Sequence, residues 1–376
     1  MLTEDQTLVQ DTARVFARDR LAPGAADRDR TGVIDPAILR EMGDLGFLGM
    51  TVDPDHDGAG ADYVSYALAL IEVAAGDGAI STVMSVHNAP FNAILERFGS
   101  AQQRQTVLRP AARGAFIGAF ALTEAQAGSD ASALSSTARR TDTGYVIDGS
   151  KEFITSGQIA GQVIVFARMA GTQGKDGITA FLVPTDTPGY QVARVEEKLG
   201  QRCSDTCALR FDAMELPEDA RIGTEGEGYR IALASLETGR IGIAAQSVGM
   251  AQAALDMAVA YAGERKSFGK TLMGHQAVAF RLSELATELE AARQLVLHAA
   301  RLKDAGLPCL KEAAIAKLFA SEAAERIVSG ALQCFGGYGY VADTGIERIY
   351  RDQRVCQIYE GTSDIQKLII ARGLAG

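Results

Sequence analysis

The chain lacks the residues that most metal sites and disulfide frameworks need. Among its 376 residues there are only four histidines and five cysteines, and there is no tryptophan. The histidines fit no His-Glu-x-x-His or clustered-ligand pattern. Cys203 and Cys207 would lie about 13 Å apart on an extended strand, too far for one metal ion. An odd number of scattered cysteines also argues against a disulfide framework. We therefore expect no metal ion, and a reducing compartment.

Long apolar runs and excess positive charge are likewise missing. No uninterrupted apolar run approaches the roughly 20 residues that a membrane-spanning helix requires, and the net charge is −10. Because affinity for nucleic acid rests on neutralising phosphates, nucleic acids are poor partners for this chain, as are anionic membranes. The acidic first residues resemble no secretory signal, so we expect the cytoplasm, or an organellar matrix if a transit peptide has been removed.

What is present is a globular composition arranged in three consecutive patterns. Hydrophobic residues make up 47% and charged residues 22%, an ordinary mix for a protein with a large core. Residues 1–117 have helical periodicity, with Thr3 and Asp35 as N-caps and Pro36 at a first helical position. Residues 118–228 hold short β-branched and aromatic segments between Gly, Asp and Pro turns, and residues 229–376 return to helical spacing.

These patterns predict a multi-domain α+β protein. It would have an N-terminal all-α domain (1–117), a middle β-domain (118–228) and a C-terminal all-α domain (229–376). Too few helices interrupt the middle segment for a parallel doubly wound sheet, so we expect an antiparallel one. The predicted C-terminal helices cover residues 229–264, 276–305, 311–335 and 364–372.

Two segments partly resemble a phosphate-binding P-loop, but neither has the required residue order or spacing. The segment from Gly144 to Lys151 has its last two residues in the wrong order for a P-loop, and the glycines at 263 and 269 are one residue too far apart. No Gly-x-Gly-x-x-Gly opens a βαβ unit, which argues against a Rossmann dinucleotide site.

Six short motifs remain that local structure does not explain. In chain order they are Phe120-Ala-Leu-Thr-Glu-Ala-Gln-Ala-Gly-Ser-Asp130, Lys151-Glu-Phe-Ile-Thr-Ser-Gly157, Leu236-Glu-Thr-Gly-Arg240, Glu264-Arg-Lys-Ser-Phe-Gly269, Gln333-Cys-Phe-Gly-Gly-Tyr-Gly339 and Gln357-Ile-Tyr-Glu-Gly-Thr-Ser363. Their combination, order and spacing resemble the acyl-CoA dehydrogenase family of flavoproteins, and the likeness runs essentially from end to end.

The resemblance implies that family's fold, with a barrel-like antiparallel middle domain and a four-helix bundle at the C-terminal end. It implies FAD as the cofactor and an acyl-CoA as the substrate, which is oxidised to the trans-2-enoyl-CoA. The motifs most resemble short-chain and branched short-chain members, which suggests fatty acid β-oxidation or branched-chain amino acid catabolism. An electron-transferring flavoprotein as the electron acceptor and a homotetramer are further expectations.

The catalytic base in this resemblance is Glu360, which would remove the α-proton while hydride passes from the β-carbon to the flavin. A carboxylate in a dry, apolar pocket has its charged form disfavoured, so its pKa rises and it becomes a stronger base. Gly361 would let the backbone approach the thioester closely. Some family branches place the base on the helix near the Leu-Glu-Thr-Gly-Arg motif, but the matching residue here is Gly239, which cannot serve.

The resemblance also assigns contacts residue by residue. The residues matched to substrate contacts are Ser129, Glu237, Arg240, Tyr359 and Gly361. The residues matched to the flavin ring and its surroundings are Phe120, Leu122, Thr123, Ser129, Phe153, Ile154, Thr155, Thr362 and Asp364. Those matched to the adenosine and pyrophosphate, partly across a subunit boundary, are Arg265, Ser267, Phe268, Gln276, Gln333, Gly336 and Gly337.

The sequence departs from the family pattern in three places. The usual Thr-Glu-Pro-Gly reads Thr-Glu-Ala-Gln from Thr123, Phe153 stands where tryptophan is common, and Asp364 is shorter than the usual Glu or Gln. Two alternatives stay open. One is an oxidase on the same fold that lets oxygen reach the reduced flavin, and the other is a DNA-binding relative, which the negative charge disfavours.

Overall fold

Residues 2–116 are mainly helical, as the sequence predicts. The computed structural model describes residues 2–375, so Met1 and Gly376 of the predicted domains lie outside the described residues. Thr3 forms a capping box with Gln6, and Asp35 caps the helix that Pro36 begins, which confirms these predicted helix starts. The helices are α1 (Glu4–Phe16), α2 (Ala25–Thr31), α3 (Pro36–Asp44), α4 (Tyr63–Gly76), α5 (Gly78–Val86), α6 (Ala93–Phe98), α7 (Ala101–Gln103) and α8 (Arg109–Ala112).

The helical pattern predicted for residues 1–117 is interrupted between α5 and α6. A π-helical turn, His87–Asn92, separates α5 from α6, and Ala89 inside it has non-helical angles of φ −141° and ψ 103°. Pro90 follows directly; because proline has no backbone N–H and its ring clashes with the preceding turn, the regular helical ladder cannot continue here.

A mainly antiparallel sheet forms the middle of the chain, as predicted. Hydrogen-bonded neighbours run in the order β6-β7-β3-β2-β4-β5-β8. Two pairings are parallel, β1 with β4 and β2 with β4, which the sequence pattern did not predict. The strands are β1 (Ile117–Ala121), β2 (Thr137–Arg140), β3 (Gly144–Thr155), β4 (Ala160–Met169), β5 (Ile178–Pro184), β6 (Tyr190–Val195), β7 (Thr206–Pro217) and β8 (Arg221–Ile222).

The C-terminal part contains long helices that start and end close to the predicted residues. After α9 (Gly228–Glu264) come a short hairpin, β9 (Lys266–Ser267) and β10 (Lys270–Thr271), and then α10 (Gln276–Asp304), α11 (Leu310–Phe335), α12 (Ile346–Gln353) and α13 (Ser363–Ala375). The sequence did not predict α12. Among the described residues, no helix is both long and apolar enough to cross a membrane.

One apolar core joins the first and last helical parts. It includes Leu70 and Met84 from the N-terminal helices, Ala244 and Val248 from α9, and Ile327 from α11. The sheet has a second core of its own, formed around residues such as Phe181 and Phe211. Burial of this much apolar surface is the main stabilising contribution in such a protein. The site described next lies where sheet and helices meet.

Candidate active site

A cavity of about 560 Å³ lies between the sheet, the helices and the loop before α13. Its lining comes from the π-turn, from β1 and β3 with their loops, from α9 and from α13. The lining residues that the sequence predicted for flavin or substrate are Phe120, Leu122, Thr123, Ser129, Phe153, Ile154, Thr155, Arg240, Tyr359, Glu360 and Gly361. The fold therefore brings residues that are up to 241 positions apart in the chain into one chamber.

Glu360 extends its carboxylate towards bare backbone of α9. A Cβ placed on Gly239 would lie 2.7 Å from Oε2 of Glu360, so glycine at this position leaves the space that the carboxylate occupies. Oε2 is buried and has no hydrogen-bond partner among the described residues. Burial raises the pKa of Glu360 to about 7, although the positive charges of Arg240 and Lys317 oppose the rise. A carboxylate of this kind is suited to accept a proton near neutral pH.

Arg240 lies one position after Gly239 on α9 and lines the same cavity. Its side chain is almost completely buried, and its Nε has no hydrogen-bond partner among the described residues. Burial lowers the pKa of Arg240, while the nearby carboxylates of Glu360 and Glu237 raise it. A buried guanidinium with an unused donor can bind a carbonyl or a carboxylate oxygen that enters the cavity.

The backbone around Glu360 is held in an unusual conformation. Glu360 has φ +56° and Gly361 has φ +89°. Side-chain amide Nε2 of Gln366 donates hydrogen bonds to the carbonyls of both residues, at 3.1 and 2.8 Å. Nζ of Lys317 donates to the carbonyl of Gly361 at 2.8 Å. Residues other than glycine rarely adopt positive φ, so these contacts fix a backbone conformation that a free loop would leave.

The sheet side of the cavity carries an aromatic ring in a similarly constrained position. Phe153 has φ +59°, and the pairing of β3 with β7 shifts register between Lys151 and Ile154. Such bulges re-aim side chains beside functional sites. Phe153 is 64% exposed, and with Thr123 and Thr155 it lines the cavity. The exposed position and the positive φ angle of Phe153 would be explained by a bound molecule that packs against its ring.

A buried ion pair fixes the loop that follows β1. Nζ of Lys151 lies 2.7 Å from Oε1 of Glu124, and both side chains are almost completely inaccessible to solvent. Burial would raise the pKa of Glu124, but Lys151 and hydrogen bonds from Ser135 and Ser136 lower it to about 2. The pair joins this loop to β3 next to Phe153. It holds the Thr-Glu-Ala-Gln segment, in which the family's usual Pro and Gly are absent.

A second groove, of about 610 Å³, lies at the far end of α9. Five of the residues predicted to hold adenosine and pyrophosphate line it: Arg265, Ser267, Gln333, Gly336 and Gly337. The guanidinium of Arg265 lies 6.0 Å from the centre of the Tyr338 ring. Phe268 is 96% exposed and Gln276 begins α10 on the surface, and neither lines the groove.

Three predicted contacts lie outside the cavity lining. Oε1 of Glu237 accepts a hydrogen bond from Nζ of Lys303 at 2.9 Å. Oγ1 of Thr362 accepts from the N–H of Ile365 at the start of α13. Asp364 is exposed and lies 3.6 Å from Nζ of Lys367. In this chain their side chains have partners of the protein's own, so contacts of these three with substrate or cofactor stay predictions.

The burial of two lysines and the hydrogen bond of Tyr359 to Gln246 were not predicted from the sequence. Lys317 and Lys151 are fully buried, and the phenol of Tyr359 donates to Oε1 of the buried Gln246. Of these residues, Lys317 stands among apolar neighbours in the sequence, in Ala-Ala-Ile-Ala-Lys-Leu-Phe-Ala. A lysine in an apolar helical segment is rarely buried without a specific partner, and that was the available signal.

The cavity residues fit the ring of a flavin. The volume lies in the range of cofactor pockets, the walls are mainly apolar, and the hydroxyls of Thr123, Ser129 and Thr155 offer a few polar contacts. The side chain of Phe153, 64% exposed, is available for packing against such a ring. A flavin bound here would supply a hydride acceptor in the same cavity as the carboxylate of Glu360 and the positive charge of Arg240.

Three profiles of one family together match nearly the whole chain. Those described as the N-terminal, middle and C-terminal domains of acyl-CoA dehydrogenase match residues 3–115, 119–214 and 226–375. A Bacillus subtilis protein named acyl-CoA dehydrogenase is 44% identical over 375 residues, covering 100% of this chain and 99% of the relative.

Solved structures agree with the sequence comparison. Butyryl-CoA dehydrogenase from Megasphaera elsdenii superposes with a TM-score of 0.98 at 38% identity, covering 100% of this chain and 99% of that one. A chain from a structure described as the electron transferring flavoprotein of Acidaminococcus fermentans gives a TM-score of 0.98 at 41% identity, covering 100% and 98%. The three profile matches and the full-length relatives show that the chain belongs to the acyl-CoA dehydrogenase family.

Proposed function

We propose that this chain catalyses the FAD-dependent α,β-dehydrogenation of a short-chain or branched short-chain acyl-CoA to the trans-2-enoyl-CoA. The observation that carries the proposal is the position of Glu360. Its buried carboxylate enters the same cavity as Phe153 and Thr155, and burial brings its pKa to about 7. An acid–base group near neutrality inside a flavin-type chamber is what removal of a weakly acidic α-proton requires.

The residues of the chain have separable tasks in this reaction. Glu360 accepts the α-proton on its carboxylate. Arg240, buried beside it, favours the ionised carboxylate by charge and so counteracts burial. The apolar lining, with Leu233, Leu236 and Ile243 from α9, excludes water and strengthens these electrostatic interactions. A flavin held by the cavity residues would supply the acceptor for the β-hydrogen as hydride.

The two cavities support an oligomer in which one FAD contacts two subunits. Residues 240 and 264 are 24 positions apart in the continuous helix α9, which corresponds to about 36 Å at the helical rise. That distance exceeds the length of an extended FAD molecule. The residues around Arg265 are therefore proposed to bind the adenosine end of a cofactor whose ring lies in a neighbouring copy, in keeping with the predicted homotetramer.

A small acyl group is supported by the name of a structural relative. The structural relative from Megasphaera elsdenii is named for butyryl-CoA, which has a four-carbon acyl group. The preference between straight and branched short chains, the metabolic pathway and the cytoplasmic location stay predictions.

The electron acceptor is proposed to be an electron-transferring flavoprotein. A chain of very similar fold comes from a structure described by that name. An oxidase is the alternative, since a chain with a TM-score of 0.96 at 30% identity is described as a prolyl acyl carrier protein oxidase. The fold alone therefore does not separate the two activities.

One experiment tests the reaction, the chain length and the acceptor in sequence. The FAD-loaded protein is mixed anaerobically with saturated acyl-CoAs of two to twelve carbons, straight and branched, and the flavin absorbance is followed. We expect the fastest bleaching with a short chain, slow return of colour in air, and rapid return with an electron-transferring flavoprotein. Bleaching by none of the thioesters would refute the proposed function, and rapid return in air would identify an oxidase.

A further inference from the structure

Lys317 is a buried cation that has no carboxylate partner among the described residues. It lies on α11 and its side chain is 0% exposed. The other fully buried lysine, Lys151, is paired with Glu124 at 2.7 Å. Lys317 has no such ion pair among the described residues, and its Nζ donates one hydrogen bond there, to the carbonyl of Gly361. Burying an ammonium is costly unless its charge and donors are used, so its position needs an explanation.

The single contact falls on the turn that carries the base. The carbonyl of Gly361 accepts from Nζ of Lys317 and from Nε2 of Gln366, both at 2.8 Å. The two residues of the turn, Glu360 and Gly361, have positive φ angles. An apolar side chain on α11 could fill the same space, but it could not hold this carbonyl or place a positive charge beside the carboxylate.

We propose that Lys317 is a positioning residue for proton abstraction: its ammonium fixes the Glu360–Gly361 turn and, with Arg240, keeps Glu360 in the ionised form that acts as the base. The proposal rests on the proposed function. It assigns Lys317 an electrostatic task on Glu360 in addition to a structural one on the backbone of Gly361.

The charged and titratable groups around Glu360 support an electrostatic role for Lys317. Arg240 approaches from α9, Lys317 from α11, and the phenol of Tyr66 from α4. Around Lys317 itself lie Cys356, Glu360, Arg240 and Glu322. Burial lowers the pKa of Lys317 to about 8, against the effects of Cys356 and Glu360. Arg240 stays charged at every working pH, so Lys317 is the nearby cation whose charge changes close to neutrality.

The test compares three variants of the FAD-loaded enzyme. Lys317→Met keeps the length of the side chain but removes its charge and its donors. Lys317→Arg keeps both. Gln366→Met removes the other donor to the same carbonyl without changing charge. For each protein, kcat/KM is measured across pH 5.5–9 with the acyl-CoA that bleaches the wild type fastest. The infrared band of the protonated Glu360 carboxyl, assigned by its loss in Glu360→Gln, is titrated without substrate.

The expected pattern separates charge from geometry. In Lys317→Met, the acidic limb of kcat/KM and the infrared titration should both move up by about one pH unit. Lys317→Arg should return both to the wild-type position. Gln366→Met should lower kcat about tenfold and leave the titration of Glu360 where it is.

Several results would overturn the proposal. An unchanged Glu360 titration in Lys317→Met would show that the charge has no effect on the base. Loss of folding or of flavin in Lys317→Met and also in Lys317→Gln would restrict Lys317 to a structural role. The infrared titration needs no turnover, so it still reports on Lys317 if the wild type oxidises none of the thioesters, a result that would refute only the proposed reaction.

Discussion

The carboxylate of Glu360 packs directly against the Cα of Gly239 and leaves no room there for a side chain. A Cβ on Gly239 would lie 2.7 Å from Oε2, 2.9 Å from Cδ and 3.1 Å from Oε1 of Glu360. Real Cβ atoms do not approach other atoms so closely. A side chain on α9 at position 239 and the carboxylate of Glu360, from the loop before α13, therefore exclude one another, in agreement with the proposal that Glu360 is the base.

The first prediction concerns that space. Gly239→Ala should lower kcat/KM about a hundredfold, because Glu360 must turn away from its productive position. Alanine has the higher helix propensity, so thermal stability should fall little. Gly263→Ala, in the same helix with nothing within 4 Å of the added Cβ, is the matched control and should keep full activity. Equal activity of the two variants would contradict the assigned position of Glu360.

The second prediction concerns the base itself. Glu360→Gln keeps the size and the hydrogen bonds of the backbone but cannot accept the α-proton. We expect flavin binding to persist and the rate of bleaching by acyl-CoA to fall by about 10²–10⁴-fold. Flavin content from the absorbance spectrum and stopped-flow bleaching give the two readouts. Turnover near the wild-type rate would identify a different base.

The third prediction concerns pH. Glu360 must be ionised to act, so kcat/KM should rise with pH through about 7, the value to which burial raises its pKa. The same shift affects stability with a defined sign. The pKa in the folded state lies above the ordinary value of 4.5, so the stability contributed by this group is present below that value and lost as pH rises through about 7.

A thermal melt checks the stability part. Glu360→Gln resembles the protonated form at every pH, so its melting temperature should exceed that of the wild type at pH 8 and converge with it at pH 5. A difference that is the same at both pH values would show that Glu360 does not titrate between them.

The fourth prediction concerns the buried ion pair between Glu124 and Lys151, on the sheet side of the cavity. Lys151→Met leaves the carboxylate of Glu124 buried and unpaired, which should cost about 3–5 kcal/mol of unfolding free energy. The double variant Glu124→Gln with Lys151→Met should recover much of that loss. Arg18→Ala, which breaks the exposed pair with Asp19, is the control and should cost nothing measurable. Chemical denaturation with a two-state fit gives these values if the transition is cooperative.

Helices and strands were predictable where local signals determine them. The start of α3 follows from Asp35 and Pro36, and the four long C-terminal helices follow from apolar spacing over many turns. The break at His87–Asn92 was missed although Pro90 was visible in the sequence, because a proline in a strongly apolar segment can be accommodated by a local change of helix type. Parallel pairing of β1 with β4 depends on contacts distant in sequence, which periodicity does not report.

The candidate site divides in the same way. Glu360, Arg240 and Phe153 were found because their motifs resemble those of a family, and the structure brings them to one cavity. The three groups that hold them, Lys317, Gln366 and the Glu124–Lys151 pair, act through tertiary hydrogen bonds. The hydrogen bonds from Lys317 and Gln366 to the carbonyl of Gly361 depend on how α11 and α13 pack around the turn. Residue spacing in the sequence does not report this packing.

Helix α9 joins Gly239 and Arg240 at one cavity to the residues beside Arg265 at the other. A continuous helix transmits a tilt or a rotation along its length. We therefore expect a substitution that repacks the middle of α9 against α4 or α11 to displace the residues at both ends together, so that the cavity around Glu360 and the groove around Arg265 cannot be altered independently by such a change.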